Sequence, residues 1–310
     1  MDFPQFDIFD IGGSIFKMLA YYCWSFVGTC CDVINELIGA IDNMSIFTLS
    51  FGSPELQNIW NVASSVCTNV SMVVAYSLLG FFVAVELYHA TQHMSTSKFG
   101  GLEMVMRCII KVMVVKLVID NTPVIMRAVY DLTVNLTIGV QKYATGLSGN
   151  SALMPKEELQ GVVAALTTDQ VGVVVLLFLV MVVAVAVVFG ATILVVVIAL
   201  TRYIEIFLCV AFAALPLVCF ASAETKSVGM GFAKNYLAVC LQGTILVLLI
   251  KFMVPLFSAV AVLIGNMVNA PEATGIESLV ACVAPVALCV AMITTIQHTR
   301  EFANRIVGAA

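Results

Sequence analysis

Between Val171 and Thr201 the chain runs 31 residues without an Asp, Glu, Lys or Arg, and 13 of them are valine. As a single helix this stretch is about 46 Å long at a rise of 1.5 Å per residue. It exceeds the roughly 30 Å hydrocarbon core of a bilayer, so it must tilt in the membrane or project from it. The rest of the chain keeps the same character. Of 310 residues 61% are hydrophobic and 11% charged, where an ordinary soluble domain has about 25% charged. Mean hydropathy is +1.06. Such a chain lacks the polar groups to cover its own surface, which excludes a soluble enzyme and makes lipid its main solvent.

Further spans follow from length and charge. Pro54 after Ser53 offers a helix start, since a proline at the first helical position gives up an N–H that has no partner there. Val62 to Val85 then runs without a charge. Arg202 and Glu205 read as a very short turn after the valine-rich stretch, with Ile206 to Ala223 as the returning span, kinked by Pro216. Asn235 to Ile264, interrupted by Lys251, and Ser278 to Thr299 complete an expectation of about five spans. Residues 1–54 form an acidic N-terminal segment. Its apolar positions Ile15, Leu19, Tyr22, Phe26, Val33, Leu37 and Ile41 recur at helical spacing, which predicts an amphipathic helix lying on the membrane. Residues 55–170 hold the first span, a basic helix and a polar central loop, and 171–310 a four-span bundle. The expected fold is therefore an all-α polytopic integral membrane protein with added interfacial helices.

Leu102 to Ile119 is apolar but carries Glu103, Arg107 and Lys111 at successive i,i+4 positions. At about 2.5–3.5 kcal/mol per central charge, a lone crossing is disfavoured. The charged stripe lies in the headgroups, packs on other protein, or faces a conduit for polyanions. Residues 120–170 read as polar and mixed, with a loop at Gly146–Asn150 and a short helix after Pro155. The segments 89–170, 224–234 and 300–310 hold 11 of the 14 Lys and Arg residues. The positive-inside rule places them, and the C-terminus, in the cytoplasm. With Asp2, Asp7 and Asp10 ahead of Lys17, no cleavable signal is expected.

Candidate chemistry is sparse. Glu86, His89 and His93 share one helical face, but one such helix supplies at most three ligands and no second Glu-x-x-His is present. A polar cap on the span is the preferred reading, and no metal or other cofactor is assigned. Most cysteines sit in apolar runs as small hydrophobes, and the vicinal Cys30 and Cys31 have no metal-ligand spacing. Lys251 lies about 24 Å of helix beyond Asn235, which predicts snorkelling to the far headgroups, with a pore-lining role or a pair with Glu205 as the alternative. No Gly-x4-Gly-Lys-Ser/Thr is present, so the chain is not its own motor, and without an intramembrane catalytic set no enzymatic activity is expected. Glu86, Arg107, Lys111 and Lys251 are the candidate pore or interfacial charges. A solute transporter would show paired broken helices in inverted repeats, and Pro216 has no second copy. That class, and a non-conducting scaffold, are the alternatives.

The stretch 202–224, RYIEIFLCVAFAALPLVCFASAE, followed by 228–243, VGMGFAKNYLAVCLQG, resembles the TrbL family of conjugative-transfer membrane proteins. The shared pattern is a basic residue opening a span, an Ala-Leu-Pro kink, a glycine-rich loop, a cation, an aromatic residue and Cys-Leu-Gln-Gly leading into the next span. With the first span included, the likeness covers roughly residues 55–305, and the small size looks most like the Gram-positive form. The resemblance implies a channel or scaffold subunit of a type IV secretion apparatus in the cytoplasmic membrane. It also implies a homo-oligomeric ring, of which a pentamer is one form, that helps pass relaxase-bound single-stranded DNA, powered by separate ATPases. On this reading Arg202, Glu205, Pro216 and Glu224 set the geometry of the central hairpin. Lys226, Gly229, Gly231 and Lys234 belong to a cytoplasmic loop where an ATPase or other conjugation protein docks, the plainer reading being a short turn.

Overall fold

A computed structural model describes residues 11–42, 49, 51, 53–94, 100–144, 156, 171–268, 287–288 and 290–308. Among these residues every regular element is helical and there is no strand. The elements are α1 (Ile11–Asp42), α2 (Pro54–Val66), a π-turn (Cys67–Ser71), α3 (Met72–Met94), α4 (Gly100–Asp120), α5 (Thr122–Ala144), α6 (Val171–Phe212), α7 (Ala214–Val218), α8 (Lys226–Val268) and α9 (Thr299–Val307). In lipid an unpaired backbone N–H or C=O is costly, and helices pair these groups within one segment. Among the described residues three stretches are long and apolar enough to cross a membrane: Leu56–His89, Phe178–Phe212 and Lys226–Phe252. The protein is thus an all-α membrane protein.

The chain divides into two compact units, each built from three separate stretches. One comprises Met1–Met44, Val140–Ile198 and Leu246–His298. In it the buried side of α1 is Ala20, Cys23, Val27, Cys30, Cys31 and Ile34, while Ile15, Leu19, Tyr22 and Val33 are exposed. Four of the large apolar side chains that mark α1 as amphipathic thus point outward, and the inward face is mostly small residues, with Val27 and Ile34 among them. Small inward faces let helix backbones approach closely where lipid competes for the large ones. The valine-rich part of α6 answers with buried Met181, Ala184, Val188, Ala191 and Val195, alternating three and four residues apart as in a coiled-coil seam. Phe26 packs on Phe178 with ring centres 4.4 Å apart, and Lys156 pairs with Asp32 at 2.6 Å. Burial pushes the Cys31 thiol up to about 12, so at neutral pH it stays protonated.

The other unit comprises Ser45–Gly139, Ala199–Ile245 and Thr299–Ala310. Pro54 does open α2 after Ser53. Just ahead of it Phe51 is fully buried, its ring 3.9 Å from Tyr130, 4.8 Å from Trp60 and 5.3 Å from Phe207. Residues 122–144, read from the sequence as polar and mixed, form the single helix α5. Its buried face is Met126, Tyr130, Thr133, Val134 and Thr137, at helical spacing. Two of those five are threonines, and Thr137 shares a 2.8 Å hydrogen bond with Thr244 of α8. The hydroxyls that made the segment look polar are satisfied inside.

The turn expected at Arg202 and Glu205 is absent, because α6 continues unbroken to Phe212. Both charges lie against protein, Arg202 buried and Glu205 paired with Arg300. The chain reverses between Ala213 and Thr225, and Pro216 sits there in the first turn of α7, where its missing N–H removes no helical hydrogen bond. Ser71 Oγ donates to the Ala211 carbonyl at 2.5 Å, filling an acceptor left open by the end of α6. The expected Gly146–Asn150 loop, and the helix after Pro155 apart from Lys156, lie outside the described residues. So does much of the span expected at Ser278–Thr299, of which 290–297 is helical.

The Tyr130 hydroxyl donates to the Leu49 carbonyl at 2.7 Å. Replacing Tyr130 by Phe leaves the ring stack intact and removes that donor, so thermal unfolding in detergent should show a loss of about 1–3 kcal/mol. Unchanged stability would mean that the Leu49 carbonyl is satisfied by solvent.

Candidate functional site

The charges of the second unit gather where α3, α4 and the reversal meet. Antiparallel packing of α3 on α4 brings the Tyr76 hydroxyl to the Asp120 carboxylate, to which it donates a hydrogen bond, and nearer the far end of α3 brings Glu86 to Lys111. Glu86 Oε1 accepts from Lys111 Nζ at 3.1 Å and from the Ala223 backbone N–H at 2.9 Å. One carboxylate oxygen thus ties together α3, α4 and the 213–225 reversal. Both partners are about a third or less exposed, which shields the pair from water. One turn on, His89 Nε2 lies 3.9 Å from Glu224 Oε1, both exposed.

The basic stripe of α4 therefore splits. Successive i,i+4 steps drift round a 3.6-residue helix, so Lys111 turns toward protein while Arg107 pairs with Glu103 at 2.6 Å on the exposed side. Of the three sequence readings of this stripe, packing against protein holds for Lys111. His93 lies outside the residues whose side chains are described, and no group of three or more His, Cys, Asp or Glu suited to a metal occurs among the described residues.

The reversal is held by local contacts. Thr225 Oγ1 donates to the Cys219 carbonyl at 2.9 Å. A Cβ on Gly229 would lie 2.9 Å from the Phe220 ring and 3.0 Å from the Pro216 carbonyl oxygen, so α8 starts hard against the turn and only glycine fits there. Gly231 faces open space. Lys234 Nζ donates to the Gly308 carbonyl at 2.8 Å, just past the end of α9, where a cation complements the helix C-terminus. Arg300 Nη1 meets Glu205 Oε1 at 2.6 Å, giving α9 a second tie. Among the candidates, Glu86, Lys111 and Glu224 come together, Glu205 and Lys234 each anchor α9, and Arg107 stands apart.

Arg202 is the exception to charge at the rim. It is 3% exposed, and its guanidinium lies 5.6 Å from the centre of the Tyr203 ring. Its Nε and Nη1 have no hydrogen-bond partner among the described residues. A Cβ on Gly243 would fall 1.7 Å from Nη1, so the cation rests on the bare backbone of α8. Lys251, in the other unit, is 7% exposed and does not snorkel. The distance argument counted from Asn235, but α8 starts at Lys226 and runs to Val268, which leaves Lys251 enclosed by protein.

Gly243→Ala forces the guanidinium out of its slot and should cost about 1–3 kcal/mol of stability, as overpacking does. Arg202→Met, which removes a buried unpaired charge, should be neutral or stabilising. In the double variant the methionine should recover most of the loss. Thermal unfolding of all three checks this, and additive losses would rule out the slot.

No curated protein and no solved structure matches the chain. The TrbL/VirB6 plasmid conjugal transfer like protein family matches residues 52–214, just over half of the chain. That segment contains α2 to α6 in full, with Glu86, Lys111, Arg202 and Glu205, and stops short of Pro216 and the 228–243 pattern. The chain belongs to the TrbL/VirB6 plasmid conjugal transfer-like family and is a membrane component of conjugal transfer.

Proposed function

We propose that this protein is a non-enzymatic channel or scaffold subunit of a conjugative type IV secretion apparatus in the cytoplasmic membrane. It helps relaxase-bound single-stranded DNA across, as one of several copies in a ring, while separate ATPases supply the energy. The observation that carries this reading is the junction at Glu86 within the family-matched segment. A single carboxylate oxygen fixes two helices and the reversal into one rim of charge. Such a rim gives soluble partners a polar surface on an otherwise apolar body.

The sides of the helices support assembly in a bilayer. Val73, Val74 and Phe81 on α3, Met113 and Leu117 on α4, and Val124 and Leu132 on α5 are all exposed. Contiguous apolar surface of this extent suits lipid or neighbouring subunits. Lys226, exposed at the start of α8, remains the place for an ATPase or coupling protein to dock.

The test is donor-to-recipient DNA transfer with the gene deleted and then restored, with excision and nicking of the DNA followed in parallel. Deletion should abolish transfer and leave DNA processing intact. Glu86→Ala should lower transfer at least ~10-fold at normal protein level, about 1.4 kcal/mol or more of lost junction. Full transfer without the gene would discard the conjugation reading, and solute flux in reconstituted vesicles would become the next measurement.

A further inference from the structure

A cavity of about 450 Å³ opens beside the Glu86 junction, within the same unit. Its wall is apolar, from Val114, Val115 and Val118 of α4 and from Leu217 and Phe220 of the reversal, and the charges on it are Lys111 and Lys226. A larger groove of about 800 Å³ between α2 and α6 has no charged residue on its wall, so the basic character belongs to the smaller one. Two like charges on an apolar wall suit a ligand that is an anion at one end and a hydrocarbon at the other.

The charge balance at this place favours an incoming anion. Glu86 is occupied by Lys111 and the Ala223 N–H, and Glu224 faces His89. Lys111 keeps two further ammonium donors after its bond to Glu86. Lys226 is exposed and makes no ion pair among the described residues. The cavity falls within the size range of small-molecule sites, and basic pockets between transmembrane helices recognise acidic lipid headgroups. We propose that this groove binds an anionic phospholipid, its phosphate held between Lys111 and Lys226 and an acyl chain laid along Val114, Val118, Leu217 and Phe220. The site stands whether or not the protein conducts DNA.

The experiment uses the full chain purified from bilayers of phosphatidylcholine containing a minor fraction of phosphatidylglycerol, with retained lipid quantified by mass spectrometry. Phosphatidylglycerol should be retained in preference to phosphatidylcholine. Lys226→Ala, at an exposed position, should lower that retention about fivefold, and Lys226→Glu more, since one cation near a lipid surface contributes about that much. Val114→Trp, which fills the groove and leaves both lysines, should lower it as well. Thermal unfolding at the wild-type temperature confirms that each variant is folded. Equal retention of the two lipids, or unchanged retention in Lys226→Ala, would overturn the proposal. Displacement of the lipid by soluble glycerol phosphate, or full retention in Val114→Trp, would overturn it in favour of a site for free phosphate. Binding of an acidic amphipathic peptide in place of phosphatidylglycerol would overturn it in favour of a protein partner.

Discussion

The Glu86 carboxylate is the point on which the family-matched half of the protein turns. A charge at the end of an apolar helix is ordinarily left to the headgroups, where it costs little and holds nothing. Here one oxygen takes a proton donor from a neighbouring helix and another from the backbone of the reversal. The Tyr76–Asp120 bond fixes the same helix pair further along. With two polar rungs and apolar packing between them, α3 and α4 have one register. The start of α8 follows from it, since the reversal that precedes it is fastened to Glu86 and pressed against Gly229.

Several buried polar groups of the second unit follow one rule, meeting a partner on another element. The Ser71 hydroxyl fills the Ala211 carbonyl, Tyr236 donates to the Met126 carbonyl at 2.8 Å, and Thr137 meets Thr244. Arg202 departs from the rule, with two buried nitrogens that no described group accepts from. It is held by shape instead, on the bare backbone at Gly243 and beside the Tyr203 ring. An arrangement of that kind tolerates little change in volume, which is why its two halves are expected to fail and recover together.

What the sequence made legible was whatever depends on length and hydropathy. The uncharged run after Val62 is a span because nothing else can bury so many apolar residues, and Pro54 marks its start for a steric reason that holds in any fold. Where a charge or hydroxyl was read by itself, the reading failed. Arg202 and Glu205 looked like a boundary because a lone charge belongs in water, yet their surroundings come from α8 and α9, far along the chain. Residues 120–170 read as polar and mixed, although 122–144 form a helix that buries Thr133 and Thr137, and Lys251 was placed by a distance measured from the wrong helix start. At the candidate site, Glu86, Lys111 and Glu224 could each be picked out as polar residues at the edge of apolar stretches. Their convergence, and the burial of Phe51, depend on tertiary packing that no local pattern encodes.

The way α1 sorts its side chains sets how the chain can drift. In a soluble protein the bulky interior residues are the ones held fixed, and the surface varies. On α1 the interior holds Ala20, Cys23, Val27, Cys30 and Cys31 with the larger Ile34 beside them, whereas Ile15, Leu19, Tyr22 and Val33 face outward. The outer positions can exchange one large apolar residue for another at little cost, and the inner ones are constrained in size more than in chemical type. Substitution tolerance along this helix should therefore follow volume at the small positions and hydropathy at the large ones, the reverse of the soluble pattern.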